Sequence, residues 1–436
     1  MRSWWRNTVD GFWFVPGALA LAYVVLALLL IEVDRAAGGE QGVRYGFGGD
    51  AGAARDVLTT IAGSLITVAG LAFSITIVVL TMVSSQFTPR ALRSFLADRV
   101  NQVVAGTFVG IFAYSLVVLR AVRGDDVGER FVPGLSVSVA ILLALVALAL
   151  LLVFIHRMGQ SVQLAHIVAR IGKQTLGAIE TLYPERYGHE VEPGADELVE
   201  RWRREGSPAV VTPARPGYVQ SVEPDRIAEL LAAPGVRLRV AARPGDFVTA
   251  ADTLVEAWPA EAVSEESADA VRDCVTVANE REVGQDAAFG LRQLADIALR
   301  GLSPGVNDPS TALAALGYAR AALEQLAERE IPAGERRFGE VTAVLESRTF
   351  DELVEEPVGE VARYAAASAR VATGLLDLLA AVAGRASAAG AADRLPVLAR
   401  LVEAVAEPAA DAAASDYERR RVAEARDRAR AATRSP

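Results

Sequence analysis

Charge is missing from four long stretches in the first third of the chain. No Asp, Glu, Lys or Arg occurs in residues 11–31, 57–89, 100–119 or 131–155, which are runs of 21, 33, 20 and 25 residues. At about 1.5 Å per helical residue, each run can cross a hydrocarbon core of about 30 Å. The longest run carries a pattern of its own. Thr60, Ser64, Thr67, Leu71, Ser74, Val78, Thr81 and Ser85 follow one another by alternating steps of four and three, and six of these eight residues bear a hydroxyl. That spacing lays one polar stripe along an otherwise apolar helix. Lipid offers hydroxyls no partner, so the stripe is expected to face other helices, a neighbouring subunit or water.

The fourth apolar run continues through His156 to Leu182, where Leu164, Ile167, Ile171, Ile179 and Leu182 keep helical spacing, so one long helix leaving the membrane is expected. Short β-rich runs follow at Ala209–Thr212, Gly217–Val222, Val236–Ala242 and Thr253–Trp258, with Arg243-Pro244-Gly245-Asp246 as a turn before Phe247-Val248. From Ser264 onward the pattern reads as helical to the end. Asp308 before Pro309 forms an N-cap and first-turn pair for a helix running to about Glu330. Residues 361–384 are apolar enough to resemble a fifth span, but Arg363, Arg370 and Asp377 recur every seventh residue and mark an exposed face on a soluble helix.

The predicted fold is an α-helical integral membrane protein with four transmembrane helices, followed by a cytoplasmic α+β region made of a small β module and then a helical bundle. The expected boundaries are 1–160 for the membrane domain, 161–208 for a juxtamembrane helix and linker, 209–263 for the β module and 264–436 for the helical domain. Two shorter patterns sit inside this frame. Phe-Val-Pro-Gly opens both the first and the fourth apolar runs, at Phe14 and Phe131, where proline suits a helix's first turn. Gly106 and Gly110 form a Gly-x-x-x-Gly pair that lets another helix approach closely.

Composition supports this picture: 52 % of the 436 residues are apolar. Arg2 and Arg6 precede the first run as they would in a signal peptide, yet the run is too long and lacks a clear Ala-x-Ala-like site. Arginines before the first span, between the second and third (Arg90, Arg93, Arg99) and after the fourth (Arg157, Arg170) put both termini inside by the positive-inside rule, which implies a bacterial cytoplasmic membrane. A formal net charge of -10 argues against a nucleic-acid partner. The single cysteine, Cys274, excludes an intrachain disulfide and any multi-cysteine metal site. The β runs look somewhat like lipoyl-type carrier modules, but the one lysine, Lys173, lies far upstream of the position such a carrier needs.

Candidate chemistry is sparse. His156, His166 and His189 are too few and too scattered for a metal or triad assignment, and no nucleophile elbow, His-Glu-x-x-His pair or phosphate loop occurs, so no catalytic residue, metal or cofactor is expected. Gln285, Asp286, Asn307 and Asp308 form the one polar set that could converge on a cytoplasmic ligand, with turn and capping chemistry as the plainer explanation of the last two. The four spans hold no Asp, Glu, Lys or Arg, which disfavours ion-coupled carriers and leaves a hydroxyl-lined passive pore open. Two readings compete. In one, a homo-oligomer lines a channel-like path with its second span. In the other, the spans only anchor a scaffold or sensor that binds a cytoplasmic partner.

Two segments carry a likeness. Phe73-Ser74-Ile75-Thr76 running to Ser84-Ser85-Gln86-Phe87-Thr88-Pro89-Arg90, and Gln285-Asp286-Ala287-Ala288-Phe289-Gly290-Leu291 running to Leu302-Ser303-Pro304-Gly305-Val306-Asn307-Asp308-Pro309, resemble a bacterial family of predicted membrane proteins of unknown function. The resemblance extends over nearly the whole chain. It implies a membrane location and a cytoplasmic C-terminal region, and it brings no activity with it.

Overall fold

The computed structural model describes residues 14–36, 47–86, 99–123, 131–161, 164–183, 195–331 and 335–434. They form two compact units, Met1–Ile167 and Val168–Pro436.

The first unit holds helices α1 (Phe14–Ala36), α2 (Ala51–Gln86), α3 (Arg99–Ala121) and α4 (Gly134–Ser161). All four coincide with the charge-free runs, because long apolar stretches without prolines in mid-helix satisfy their backbone best as helices. The other three helices pack around α3. A Cβ on Gly106 would sit 2.7 Å from the Pro16 Cα of α1, and one on Gly110 would run into the Tyr23 ring, so this glycine pair sets how closely α1 approaches α3. Leu65, Ala69, Val104, Phe108 and Phe154 fill one end of the core. Ala27, Ile31, Leu58, Tyr114 and Val137 fill the other. Leu21, Leu28 and Leu29 of α1 and Leu142, Leu145, Leu148 and Leu152 of α4 point outward, each more than half exposed. An apolar surface of that extent suits lipid and not water.

One buried carboxylate ties this unit together at its α1 C-terminal end. Asp34, in the last turn of α1, is 1 % exposed. It accepts hydrogen bonds from the Leu135 N–H (3.0 Å), the Ser136 N–H (2.9 Å) and the Ser136 hydroxyl (2.6 Å). The opening N–H groups of α4 have no intrahelical partner, and a negative charge there also opposes the positive end of the helix dipole. The Tyr114 hydroxyl of α3 donates to the Ser136 carbonyl at 2.8 Å, so three helices meet at one turn. Nearby, Arg123 and Phe131 exchange backbone hydrogen bonds of 2.9 and 3.1 Å.

The second unit opens with most of α5 (Leu164–Leu182), followed by α6 (Ala195–Glu205). The single helix expected from the fourth apolar run to Leu182 is thus described as α4 and α5, with residues 162 and 163 outside the described residues. The expected β runs appear as β1 (Ala209–Val211), β2 (Gly217–Val222), β3 (Arg237–Val240), β4 (Phe247–Val248) and β5 (Val255–Trp258), with the short helix α7 (Pro224–Leu230) between β2 and β3. The helical reading beyond Ser264 needs two corrections. Helix α8 (Glu265–Asp273) ends at Cys274, and Val275–Ala278 is strand β6, so the apolar periodicity through Asn279 joins a helix to a strand. Residues Glu335–Phe338 and Val341–Leu345 are strands β7 and β8, joined by a turn in which Gly339 takes a φ of 61°, a value that glycine adopts readily.

These strands build a five-stranded sheet in the order β1-β5-β3-β8-β7 and a three-stranded sheet β4-β2-β6. All neighbours are antiparallel except β3 and β8, which pair in parallel. Val219, Ile227, Leu238, Val255, Val275 and Val341 form their shared core. Helix α6 packs Leu198, Val199 and Trp202 against Trp258 and Val344.

The helical part comprises α9 (Ala287–Gly301), α10 (Pro309–Ala327), α11 (Phe350–Ala365), α12 (Ala369–Ala388), α13 (Leu395–Ala412) and α14 (Asp416–Thr433). The apolar stretch 361–384 proves to be two helices: the chain turns at residues 366–368, where the Ser368 N–H bonds to the Ala365 carbonyl at 2.9 Å, so Arg363 and Arg370 sit on different elements. Helix α5 lies on α9 and α10. Cβ atoms on Gly172 and Gly290 would collide with Tyr318 and Thr175, and the Arg329 guanidinium donates to the Tyr183 carbonyl at 2.7 Å. Among the described residues, five helices are long and apolar enough to cross a membrane, namely α1 to α4 and α12.

Removing the Asp34 carboxylate strands two N–H groups and a hydroxyl. Asp34→Ala is therefore expected to cost about 2 kcal/mol, read as a lower midpoint of thermal unfolding for the detergent-solubilised protein. Glu32→Gln, which breaks only the exposed Glu32–Arg35 pair, is expected to cost no more than about 0.5 kcal/mol.

Candidate functional site

Two sets of residues were expected to carry function, and each lies within one unit. On α2, the buried positions are Ala51, Ala54, Leu58, Ala62, Leu65, Ala69, Ala72 and Val79. The stripe occupies the opposite face: Thr60, Ser64, Thr67, Leu71, Ser74, Val78 and Thr81 are all exposed, and no other described helix of the first unit covers them. The side chain of Ser85 lies outside the described residues. Gly63 and Gly70 are exposed too, with nothing within 4 Å of where a Cβ would stand, so this face is shallow as well as polar.

The hydroxyls differ in how they are satisfied. Thr67 donates to the Gly63 carbonyl and Thr81 to the Ile77 carbonyl, both at 2.9 Å, the one-turn back-bond open to threonine in a helix. Thr60, Ser64 and Ser74 make no hydrogen bond to any described residue. In hydrocarbon each would lack a partner.

The second set does not form one cluster. Gln285 and Asp286 open α9 while Asn307 and Asp308 follow its end, and the 15 residues of the helix separate the pairs by about 22 Å. Asp308 caps α10, accepting from the Ser310 N–H (3.0 Å), the Thr311 N–H (3.2 Å) and the Thr311 hydroxyl (2.6 Å). These bonds hold its carboxyl below the usual aspartate range. Asn307 takes a left-handed φ of 45° at the preceding turn. Gln285 accepts from the Val222 N–H of β2 at 3.1 Å.

Asp286, by contrast, sits in a buried ionic cluster that the sequence did not disclose. It accepts from the Phe289 N–H at 2.9 Å and from Arg281 Nε and Nη2 at 2.8 and 3.0 Å. Burial pushes its carboxyl up, against the pull of Arg281 and of the Phe289 N–H. The Pro244-Gly245 turn crosses directly over this pair: Gly245 has a φ of 93°, and a Cβ there would collide with the Asp286 carboxylate. Asp246, next in the turn, accepts from Arg243 Nε at 2.8 Å and Arg348 Nη2 at 2.9 Å. Tyr183, at the end of α5, completes the group. Burial and the Asp286 charge push its phenol up to about 12, so it stays a neutral hydroxyl. The cluster links α5, the β2–β4 edge, α9 and the start of α11 through paired charges. Its acids and bases are already paired, which makes it a structural joint. The Arg-Pro-Gly-Asp turn was its one sequence signal; Arg281 and Arg348 had none.

Asp286→Ala would leave the Arg281 guanidinium beside the Phe289 ring without its carboxylate, and the expected loss is about 3–5 kcal/mol in denaturant unfolding of the full chain. Asn307→Gly should change stability by less than about 1 kcal/mol, because glycine accepts that φ without strain.

Comparison with known proteins agrees with the membrane character of the first unit. Residues 10–381 match the family described as "Predicted membrane protein (DUF2254)". The chain is 38% identical over 344 residues to an uncharacterized protein of Mycobacterium tuberculosis (strain ATCC 25618 / H37Rv), and 38% identical over 344 residues to one of Mycobacterium bovis (strain ATCC BAA-935 / AF2122/97). Each alignment covers 77% of this chain and 65% of the relative, so the chain spans just under two thirds of those proteins' length. No solved structure matches. The family match covers all four apolar helices of the first unit and both sequence signatures, and the chain belongs to this DUF2254 family of predicted membrane proteins.

Proposed function

We propose that the protein is a homo-oligomer of the bacterial cytoplasmic membrane, in which copies of α2 line a channel-like path and the second unit, on the cytoplasmic side, acts as its gate or sensor. One observation carries the reading. The hydroxyl-bearing face of α2 is the face that the rest of the first unit leaves uncovered, while the opposite, apolar face is buried. A lone protomer would set Thr60, Ser64 and Ser74 against lipid tails without partners, whereas an assembly closed on this face would give them water or each other.

Four spans fit this reading better than five. Helix α12 is apolar by composition, but Arg428 pairs with its Asp377 at 2.8 Å and its Arg385 pairs with Glu328 at 2.7 Å. Ion pairs spread along a helix belong in water. With α1 to α4 as the spans, the arginine-rich flanks put both termini in the cytoplasm. Helix α5 follows α4 in sequence and is docked on α9 and α10 by close glycine contacts, which suits transmission of movement between membrane and bundle.

The competing reading, a membrane-anchored scaffold or sensor for a cytoplasmic partner, draws on the back-bonded Thr67 and Thr81, whose hydroxyls need no water. Thiol chemistry separates the two. Cys274 is 1 % exposed, and burial raises its thiol pKa, so it contributes little background and can be replaced by alanine. In the full-length protein in membranes, cysteines at Ser64, Thr67 and Ser74 should react with a water-soluble thiol reagent at least about tenfold faster than a cysteine at Leu65. Uniformly unreactive positions would mean a dry stripe and favour the anchor.

A further inference from the structure

The inner side of the membrane unit holds a polar group that neither reading uses. Asn101, in the first turns of α3, is 5 % exposed. Neither its Oδ1 nor its Nδ2 has a hydrogen-bond partner; among the described residues, no other side chain has every one of its polar atoms both fully enclosed and unpaired. The amide lines a small cavity between α2, α3 and α4, together with Ala69, Ala72, Thr76, Phe108 and Phe154. The cavity has room for about one water-sized occupant. The Thr76 hydroxyl donates to the Ala72 carbonyl at 2.8 Å, which leaves its oxygen lone pairs free to accept.

We infer that this cavity is a binding site for a single ordered water molecule, held by the Asn101 amide and the Thr76 hydroxyl at the meeting point of three membrane helices. The chemistry of the donors selects the occupant. The Asn amide presents an accepting oxygen and a donating NH2 group side by side, and an unpaired amide in an apolar setting is costly. A cation would satisfy Oδ1 and repel the N–H; an anion would do the reverse. Water donates to Oδ1, accepts from Nδ2 and has a second hydrogen for the Thr76 oxygen, within the two to four partners that buried waters keep. The rest of the lining is apolar, with Phe73, Val104 and Ala105 beside Ala69, Ala72 and the rings of Phe108 and Phe154, and the cavity's small volume together with the amide disfavours a larger or wholly apolar occupant. The site lies on the buried face of α2, opposite the hydroxyl stripe, and therefore does not depend on whether that stripe lines a path.

The test is radiolytic hydroxyl labelling of the full-length protein in lipid nanodiscs. Radicals generated from a bound water oxidise the side chains beside it, whereas radicals from bulk solvent do not reach Phe108 (0 % exposed) or Phe154 (3 % exposed). Oxidation of one or both phenyls is expected in the wild type, with a fall of about tenfold in Asn101→Leu, which removes both hydrogen-bonding atoms at similar volume. Because the substitution could disturb folding, a map of the wild-type protein that resolves waters provides the second measurement. Density within hydrogen-bond distance of both Asn101 atoms is expected. Unlabelled phenyls in the wild type, or a map in which the amide is paired with a protein group and no water is bound, would overturn the inference. Reagent access to cysteines at Ser64, Thr67 and Ser74 should be the same with and without Asn101→Leu, so failure here is distinct from failure of the channel reading.

Discussion

Hydrocarbon forms no hydrogen bonds, so every polar group that a membrane helix carries must find its partner in protein or in trapped water. The first unit obeys this constraint almost throughout. Asp34 gives its whole carboxylate to the opening turn of α4, and Tyr114 reaches the Ser136 carbonyl. Thr67, Thr76 and Ser115 return their hydroxyls to carbonyls one turn earlier. Among the groups left over, two places stand out: the exposed hydroxyls of Thr60, Ser64 and Ser74, and the buried amide of Asn101. The first set points out of the protomer and calls for a neighbour or water there. The second points inward and calls for an occupant small enough to share a cavity with three phenyl rings.

The second unit answers to a different cost. Buried charge is tolerated there because the ions meet counter-ions or, as at Arg394, backbone carbonyls with good geometry. Arg239 bonds to Glu256 at 2.8 Å and also pairs with Glu346, and Arg203 joins Glu256 from α6 at 3.1 Å, so the five-stranded sheet carries a ladder of ion pairs across one face. The cluster around Asp286 and Asp246 continues the same logic where the β module meets α5 and α9. Close approach at Gly172, Gly245 and Gly290 fixes these elements against one another, since any larger residue would force them apart. Helix α5, which follows α4 in the chain and is seated this firmly on the bundle, cannot shift without moving α9 and α10. This rigidity is why α5 suits a coupling role better than that of a loose stalk.

Local chemistry was legible in the sequence; long-range pairing was not. Four apolar runs gave the helices of the first unit, Gly106 and Gly110 gave a close helix approach, and Asp308-Pro309 gave a helix start, because each depends only on neighbours within a few turns. Asp34 lies three positions beyond the first apolar run, and its partner Ser136 is 102 positions away. Arg348 and Asp246 are also 102 positions apart, and β8 joins β3 in parallel, a pairing with no turn signal to announce it. The hydroxyl stripe was visible as a pattern, but only the packing of α1, α3 and α4 determined that it faces away from the protomer. Asn101 lies near the start of the third apolar run and carries no signal of its own there. Its isolation became evident only from the packing, which leaves both amide atoms without a protein partner.

The central claim is that the polar face of α2 meets its own copies across water. A structure of the intact assembly in a lipid bilayer, at a resolution that shows ordered water and acyl chains, tests it most directly. The account predicts a symmetric oligomer in which Thr60, Ser64, Thr67 and Ser74 of successive copies surround a continuous hydrated path. A stripe packed against lipid tails around a single protomer, or sealed in a dry interface between helices, would contradict it.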